Sequence, residues 1–261
     1  MSHFLTMLLA ILGGGIWGSF LGVLAVRIPQ KISLFWPGSR CDHCGQSLSA
    51  SELIPFLSWI FLRGRCRTCH HKILIDIPLA EVATALFCLL LLELSPSPVL
   101  GMRYLIFFSF ALPLTFIDCR HKRLPHLLTI PCMASGILLG GLTHGSHGLL
   151  EALLGALAGF VPVALIASLY PRGIGMGDAF WLSAIGSFTG AGALTFVLLI
   201  ASATGIVGTL ILYLTKHQNS HLSLFSLAVP FGPFLSFGGL LTLMIPGISH
   251  LFNTTLLETL P

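Results

Sequence analysis

The chain has 261 residues, of which 55% are hydrophobic and only 8% are Asp, Glu, Lys or Arg. Soluble domains carry about 25% charged residues, so too little polar surface is available here to cover a water-soluble globule. The net charge of +4 is also too small for a typical nucleic-acid-binding surface, and the composition favours a polytopic membrane protein.

Eight apolar runs predict about eight transmembrane helices, because roughly 20 apolar residues cross a bilayer as a helix. The sixth run is shorter than that, so we expect it to tilt, extend into its flanks or form a partial span beside other helices. The runs cover residues 4–26, 77–94, 99–117, 124–142, 149–170, 180–190, 193–214 and 224–244. We therefore predict an all-α integral membrane protein with three regions: a first helix over 1–28, a loop domain over 29–76 and a helical domain over 77–261.

The positions of the basic residues predict the orientation of these helices. Twelve of the thirteen Lys and Arg residues fall on one side of an alternating eight-helix topology, and only Arg103 lies on the other. Cytoplasmic loops of membrane proteins are enriched in Lys and Arg. We therefore expect the loop domain to be cytoplasmic, and both termini and a turn at 144–147 to lie outside. We also expect the first run to be a retained helix and not a cleaved signal peptide.

The loop domain contains two C-x-x-C pairs, Cys41/Cys44 and Cys66/Cys69, separated by twenty-one residues. Four thiolates from two tight turns can complete a tetrahedral zinc site, and such closed sites stabilise folding without catalysing chemistry. A reducing cytoplasm also disfavours disulfides. We therefore predict a structural zinc ion bound by these four cysteines. Two redox pairs or four unrelated thiols are the alternatives, and nearby histidines could replace a ligand: these are His43, His70 and His71.

Two of the nine acidic residues lie at the same predicted membrane face. Asp118 ends the third run, and Asp178 precedes the sixth. Two carboxylates in a poorly solvated place tend to share one proton, as in aspartic proteases. The ionised carboxylate can then activate water against a peptide carbonyl while the protonated one supports the oxyanion. Gly175 and Gly177 lack Cβ atoms and would let a substrate strand approach closely.

Other interpretations of the two aspartates stay open from these patterns alone. Each can be a helix-end charge that faces interfacial water, and Asp178 can be a favourable partner of a helix dipole. The pair can also be a proton relay in an ion-coupled transporter, because intramembrane carboxylates often mark ion pathways. A hydrolase and a transporter are thus comparably supported by the physical chemistry.

Four motifs in the chain resemble those of the type IV prepilin peptidase family. Gly-Met-Gly-Asp at 175–178 resembles its G-x-G-D motif, and Phe-Ile-Asp at 116–118 followed by Leu124-Pro125 resembles its first aspartate motif. Residues 18–21 with 27–29 resemble its N-terminal signature. The cysteine loop, with Pro55, Ser58-Trp59, residues 62–64, Pro78 and Glu81, resembles the cytoplasmic domain of bacterial members.

The resemblance implies a bifunctional enzyme of the bacterial inner membrane. Such an enzyme cleaves the short basic leader from prepilins and type II secretion pseudopilins, then N-methylates the new N-terminal residue with S-adenosylmethionine. Asp118 and Asp178 occupy the positions of the family's catalytic aspartates, at the cytoplasmic face. No motif identifies a cofactor pocket, although Glu52 and Glu81 flank the loop and are candidates. Their alternative role is that of an interfacial charge paired with a nearby Arg.

The chain departs from the family pattern at three positions. It has Gly22 where Asn is common, His126 where an acidic or amide residue is common, and Phe180 where Lys is common. Loss of a cation two residues from Asp178 is expected to weaken the electrostatic support of the ionised carboxylate. The two aspartates themselves are retained, which favours a peptidase over a non-catalytic assembly scaffold, and the lack of inverted repeats disfavours a transporter.

Overall fold

The computed structural model describes residues 2–34, 36, 38–41, 43–170, 175–217 and 229–245. These residues form eight α-helices, one 3-10 helix and two isolated β-bridges. The α-helices are α1 (Ser2–Arg27), α2 (Leu57–Phe61), α3 (Asp76–Leu94), α4 (Pro98–His121), α5 (His126–Leu169), α6 (Met176–Thr189), α7 (Leu194–His217) and α8 (Gly232–Met244), and the 3-10 helix is Ala50–Leu53. The prediction of an all-α protein is confirmed.

Five of these helices are long and apolar enough to cross a membrane: α1, α3, α4, α5 and α7. Helices α6 and α8 are apolar but shorter, with 14 and 13 residues. The first seven predicted runs lie on helices, and the described part of the eighth run contains α8. Residues 224–228 of that run lie outside the described residues. The helices fit a multi-pass membrane protein.

The 44-residue helix α5 folds back on itself and accounts for two of the predicted runs. Its backbone leaves the helical region at His144 and Gly145, where φ is +62° at the glycine. A Cβ atom built on Gly140 would lie 3.1 Å from the Cβ of Ala152, whereas residues twelve apart in a straight helix are separated by about 18 Å. The predicted turn around residues 144–147 is therefore present, and α5 is a helical hairpin.

Helix α6 is the short sixth run, and it lies inside the protein. It starts at Met176, four residues before the predicted run, so the run extends into its N-terminal flank. The helix is still only about 21 Å long, less than the roughly 30 Å of a bilayer core. Residues 179 and 181–189 are buried, so α6 is surrounded by protein along most of its length.

Glycines allow α6 to pack directly on the α5 hairpin. A Cβ atom on Gly155 would overlap the carbonyl oxygen of Gly186, and one on Gly159 would lie 2.5 Å from the carbonyl oxygen of Leu182. Small residues let the backbones of two membrane helices come close together. Van der Waals contact then stabilises the pair, because lipid leaves little hydrophobic driving force for the association of helices. The position of α6 is thus set by contacts that tolerate no side chain.

The aromatic core beside α6 fixes its orientation relative to α4 and α8. Trp181 is fully buried and stacks on Phe107 of α4 at a centroid distance of 5.6 Å. Its indole N–H donates to the Ser236 hydroxyl of α8 at 3.2 Å. All of these residues belong to one compact unit, Ile106–Pro261.

The other compact unit, Met1–Leu105, packs α1 on α3 through glycines spaced four residues apart. Cβ atoms on Gly14, Gly18 and Gly22 would lie 2.7, 2.7 and 2.9 Å from the Cα atoms of Ala85, Glu81 and Ile77, respectively. This G-x-x-x-G-x-x-x-G stripe is a typical small-residue helix contact. Gly22, one of the departures from the family pattern, is therefore required by close packing on α3 in this chain.

We predict that Gly155→Ala destabilises the protein by about 1–3 kcal/mol, because the added methyl overlaps backbone that cannot move locally. Gly13→Ala is the matched control, since a Cβ atom there meets nothing within 4 Å. That change should stabilise helix α1 by roughly 0.5–1 kcal/mol through reduced backbone entropy. Thermal unfolding in detergent measures both, and equal midpoints for the two variants would contradict the proposed helix contact.

Candidate active site and metal centre

The four predicted cysteine ligands come together in the loop domain. The sulfur atoms of Cys41 and Cys69 are 3.7 Å apart, those of Cys44 and Cys66 are 3.9 Å apart, and all four lie within 4.8 Å of one another. A tetrahedron with Zn–S bonds of 2.3 Å has S···S edges of about 3.8 Å. The cluster therefore has the donor set and the spacing of a Cys₄ zinc site.

Two equivalent turns present these sulfurs. In the first, Cys41 N–H donates to the Gln46 carbonyl at 2.9 Å and Gly45 N–H donates to the Cys41 carbonyl at 2.9 Å. In the second, the same bonds join Cys66 to His71 and His70 at 2.8 and 3.0 Å. Gly45 and His70 both have positive φ values, 72° and 55°. The repeated sequence spacing thus produces two copies of one cysteine-bearing turn.

The histidines beside the cysteines have a packing role. The rings of His43 and His71 stack at a centroid distance of 4.5 Å, one from each turn. This contact joins the two turns outside the sulfur cluster. Four sulfurs within 4.8 Å complete a tetrahedral set without a histidine, so the prediction of cysteine ligands is retained.

The electrostatics of the cluster favour a bound cation. The backbone N–H groups of Cys69 and Thr68 face the Cys66 sulfur and lower the pKa of that thiol to about 7. At Cys69 the N–H of His71 lowers the pKa, but loss of water and three neighbouring sulfurs raise it more, to about 12. Several thiolates this close repel one another, and a divalent cation removes that repulsion.

Asp118 lies in the last turn of α4 and is 5% exposed. Its Oδ2 accepts a hydrogen bond from the N–H of Gly232, the first residue of α8, at 2.8 Å. This bond joins positions 114 residues apart in sequence. The carboxylate is therefore held by the N-terminus of another helix, where unpaired N–H groups favour negative charge.

Asp178 lies in the first turn of α6 and is half-buried. Its Oδ2 accepts a hydrogen bond from the N–H of Gly175 at 3.2 Å, so it also caps its own helix. Asp178 therefore also acts as a partner of the α6 helix dipole, as its position in the sequence allowed. A capping bond uses one carboxylate oxygen and is compatible with chemistry at the other.

Leu124 packs between the helix ends at which the two carboxylates lie. It is buried, and its Cδ2 lies 3.0 Å from the Cβ position of Gly232, whose N–H binds Asp118. Its Cβ lies 3.1 Å from the Cβ position of Gly177, which precedes Asp178. The two carboxylates are close enough to repel each other electrostatically. The structure therefore brings the two predicted site residues together.

Two departures from the family pattern contact each other beside this pair. The rings of His126 and Phe180 meet edge to face at a centroid distance of 4.4 Å, and Phe180 makes a similar contact of 5.0 Å with Phe160. Aromatic contacts of this kind stabilise by about 0.5–1.5 kcal/mol beyond area burial. Positions 126 and 180 therefore support the start of α6 by packing.

The two glutamates that flank the loop both accept hydrogen bonds from other residues of the protein. The Ser49 hydroxyl and N–H donate to Glu52 at 2.7 and 2.8 Å, lowering the pKa of its carboxyl, with a smaller contribution from Arg67. The buried Glu81 accepts the N–H of Phe56 at 2.8 Å and a hydrogen bond from the Ser19 side chain. Phe56 has a φ of 60° and its ring packs on Gly15. Both glutamates thus fix the loop, and neither is assigned to S-adenosylmethionine.

Sequence reasoning missed two residues that build the aspartate site. Gly232 binds Asp118 from a helix 114 residues away, a contact that no local pattern encodes. Leu124 belongs to the first aspartate motif, but its packing between the two helix ends depends on the tertiary fold. The glycine stripe of α1, in contrast, carries a signal in its four-residue spacing.

Comparison with known proteins adds to this geometry. A family model described as the bacterial peptidase A24 N-terminal domain matches residues 12–94, and one described as the type IV leader peptidase family matches residues 105–210. The type 4 prepilin-like proteins leader peptide-processing enzyme of Escherichia coli O78:H11 (strain H10407 / ETEC) is 34% identical over 263 residues, covering 92% of this chain and 94% of the relative. The chain belongs to the type IV leader peptidase family.

Two further relatives in the leader peptidase family also match this chain over most of their length. The prepilin leader peptidase/N-methyltransferase of Pectobacterium carotovorum subsp. carotovorum is 34% identical, covering 90% of this chain and 92% of the relative. The enzyme of that name in Aeromonas hydrophila is 33% identical, covering 87% and 86%. No solved structure matches this chain. The leader peptidase model spans both Asp118 and Asp178, and the N-terminal model spans the cysteine cluster.

We predict that the purified protein contains one zinc ion per chain and that Cys66→Ser removes it. Loss of the metal should unfold the loop and lower the protein yield, because metal-binding energy is largely the folding energy of such a domain. Cys88→Ser is the matched control, since Cys88 lies on α3 outside the cluster. Metal analysis by mass spectrometry checks both variants, and an active protein with well under one zinc per chain would disprove the site.

Proposed function

We propose that this protein is a membrane aspartyl endopeptidase that removes the basic leader of type IV prepilins and type II secretion pseudopilins. We further propose that it N-methylates the new N-terminal residue. The observation that carries the proposal is the juxtaposition of Asp118 and Asp178 in the region matched by the leader peptidase model. The names of the relatives, which include leader peptidase and N-methyltransferase, agree with both activities.

The two carboxylates can carry out peptide hydrolysis by sharing one proton. Each is held through Oδ2 by a backbone N–H, and we assign the Oδ1 atoms to the reaction. The ionised carboxylate takes a proton from water as the water oxygen bonds to the scissile carbonyl carbon. The other carboxylic acid hydrogen-bonds the oxyanion that forms, and a proton then passes to the leaving amine as the C–N bond breaks.

The location of the pair suits a substrate that has one segment in the bilayer and one segment in water. Asp118 lies in the last turn of a helix that is long and apolar enough to span a membrane. The basic residues of the loops support a position of this end of α4 on the cytoplasmic side of the inner membrane. A prepilin joins a basic leader to an apolar helix, so its scissile bond lies at the same depth. Cleavage then needs no water-filled path through the membrane.

The proposed domain organisation separates stability from chemistry. The zinc ion would be held by Cys41, Cys44, Cys66 and Cys69 and would fold the loop over 29–76. Peptide hydrolysis would occur in the helical domain over 77–261. S-adenosylmethionine is the proposed methyl donor, since it supplies an electrophilic methyl group to an amine, and no residue is assigned to it.

A transporter that uses Asp118 and Asp178 as a proton relay is disfavoured by family membership. A scaffold role is disfavoured by the retention of both aspartates. The hydrolase therefore accounts for the pair, the family and the membrane depth together.

We predict that Asp118→Asn and Asp178→Asn each abolish leader cleavage, because Asn keeps the size but cannot exchange a proton. The double variant should be hardly less active than either single variant, since residues that act as a unit are strongly non-additive. The activity is measured as cleavage of a purified prepilin in detergent, with loss of the leader detected as a mobility shift on a gel. A single variant with substantial cleavage would show that one carboxylate works alone.

Methylation of a pre-cleaved pilin should survive both Asn substitutions, because methyl transfer does not use the hydrolytic water. Transfer of a labelled methyl group from S-adenosylmethionine measures this activity. Loss of both activities in a folded variant would mean that they share one site.

We predict that Gly232→Ala lowers kcat for leader cleavage about ten- to a hundredfold, because it disturbs a hydrogen bond to a charged group. The added Cβ would lie 2.8 Å from Asp118 Oδ2 and 3.0 Å from Leu124 Cδ2. Gly141→Ala is the control, since the nearest atoms there lie at 3.7 Å, an ordinary contact. Equal kcat values for the two variants would show that the Gly232 bond does not support the reaction.

A further inference from the structure

The loop domain contains an apolar stretch that neither the cysteine turns nor the aspartate chemistry uses. Residues 53–62, Leu-Ile-Pro-Phe-Leu-Ser-Trp-Ile-Phe-Leu, carry no charge. We call them the apolar segment, and they include all of α2. Contiguous exposed apolar residues mark an interaction surface. Five large side chains of the segment are exposed: Leu53, Ile54, Leu57, Ile60 and Phe61.

The apolar segment packs against the middle of α1. A Cβ atom on Gly15 would lie 2.9 Å from the Phe56 ring and 3.1 Å from the Pro55 Cβ. Gly15 comes twelve residues before Arg27, the last residue of α1, which corresponds to about 18 Å along the helix axis. The segment therefore contacts α1 far from the end at which the loop domain begins.

Helix α3 gives a second measure of the same depth. Gly14, beside Gly15, packs on Ala85, which comes nine residues after the start of α3 at Asp76, or about 13 Å. The N–H of Phe56 donates to Glu81, five residues after that start, or about 8 Å. Helix α3 is about 28 Å long, close to the roughly 30 Å of a bilayer core, so its start marks the edge of the hydrocarbon. Phe56 is thus about 8–13 Å inside that edge.

The surfaces of α1 and α3 at this depth are those of lipid-facing helices. Both helices are long and apolar enough to span a membrane. Exposed apolar side chains on such helices contact acyl chains, because the bilayer core holds no water. Four of them lie within one turn of the contacts with the segment: Leu12 and Ile16 on α1, and Val82 and Leu86 on α3.

The backbone of the apolar segment is suited to a medium without water. Seven N–H groups between Leu57 and Arg65 donate to carbonyl oxygens within residues 54–62. Pro55 has no N–H, and the N–H of Phe56, where φ is 60°, donates to Glu81. Non-helical backbone is tolerated at membrane depth only where such groups find partners inside the protein. The buried Glu81 therefore supplies the acceptor that this turn needs.

We propose that residues 53–62 form a re-entrant segment that enters the lipid leaflet on the loop side of the membrane, with acyl chains covering Leu57, Ile60 and Phe61. Ten apolar residues are too few to cross a bilayer and have the length of a re-entrant or interfacial segment. Three exposed arginines follow it, and cationic side chains are favourable at the level of anionic lipid phosphates. These are Arg63, Arg65 and Arg67.

Photo-crosslinking tests which molecule covers the segment. The amino acid p-benzoylphenylalanine replaces Phe61, which is 80% exposed, in the full chain reconstituted in phosphatidylethanolamine–phosphatidylglycerol vesicles. The same replacement of Leu9, exposed on α1, is the positive control, and that of Gln46, exposed in the first cysteine turn, is the negative control. After irradiation, mass spectrometry identifies the adduct and its site on the lipid. We expect acyl-chain adducts at positions 61 and 9 and no lipid adduct at position 46.

Three results of this experiment would overturn the proposal. If position 61 gives no lipid adduct while position 9 does, the segment is not in lipid. An adduct at position 61 to another part of this chain would identify that part as the cover. An adduct to the lipid headgroup or glycerol would show that the segment lies on the membrane surface and does not enter the leaflet.

A charge substitution gives an independent measurement. Phe61→Asp and Phe61→Asn remove the same packing and have the same size, so they should be equally stable if position 61 faces water. In the hydrocarbon a carboxylate is much more costly than an amide. We therefore expect the thermal midpoint of Phe61→Asp in vesicles at about pH 8 to lie about 5 °C or more below that of Phe61→Asn. Equal midpoints would contradict insertion of the segment, whatever the outcome for leader cleavage.

Discussion

Close contact between helix backbones is the interaction on which the rest of this structure depends. Lipid removes most of the hydrophobic advantage of burying one apolar helix against another, so association relies on tight van der Waals packing. Gly155 and Gly186 provide it between α5 and α6, and Gly14, Gly18 and Gly22 provide it between α1 and α3. These contacts let the 14-residue helix α6 lie inside the protein, and α6 carries one of the two aspartates.

The aspartate site is built from helix ends. Asp118 closes α4, Asp178 opens α6, and Gly232 opens α8. Helix N-termini expose N–H groups that must find an acceptor, and a carboxylate satisfies that need. The same bond that completes α8 therefore fixes Asp118. In the proposed function, the structural and catalytic roles of these residues coincide.

The cysteine loop depends on a different source of stability. A fold of about fifty residues rarely buries enough apolar surface to be stable by itself, and a metal ion bound by the Cys₄ cluster would supply further stability. Glu81 and Phe56 then tie the loop to the α1–α3 pair through a buried hydrogen bond of 2.8 Å. The chain thus joins the loop to α1 and α3, its two turns meet at the four cysteines, and Glu81 accepts a hydrogen bond from it.

The sequence alone determined the features that depend on local spacing. Apolar run length predicted the helices, the turn at 144–147 and the short α6, and the C-x-x-C spacing predicted the sulfur cluster, because each depends on residues close together in the chain. The motifs by themselves indicate the family. Only the tertiary structure decided that Gly232 binds Asp118, that Leu124 joins the two carboxylate-bearing ends, and that His126 contacts Phe180. These pairs are far apart in sequence, and their contacts follow from how the glycine-lined helices pack, which no local pattern contains.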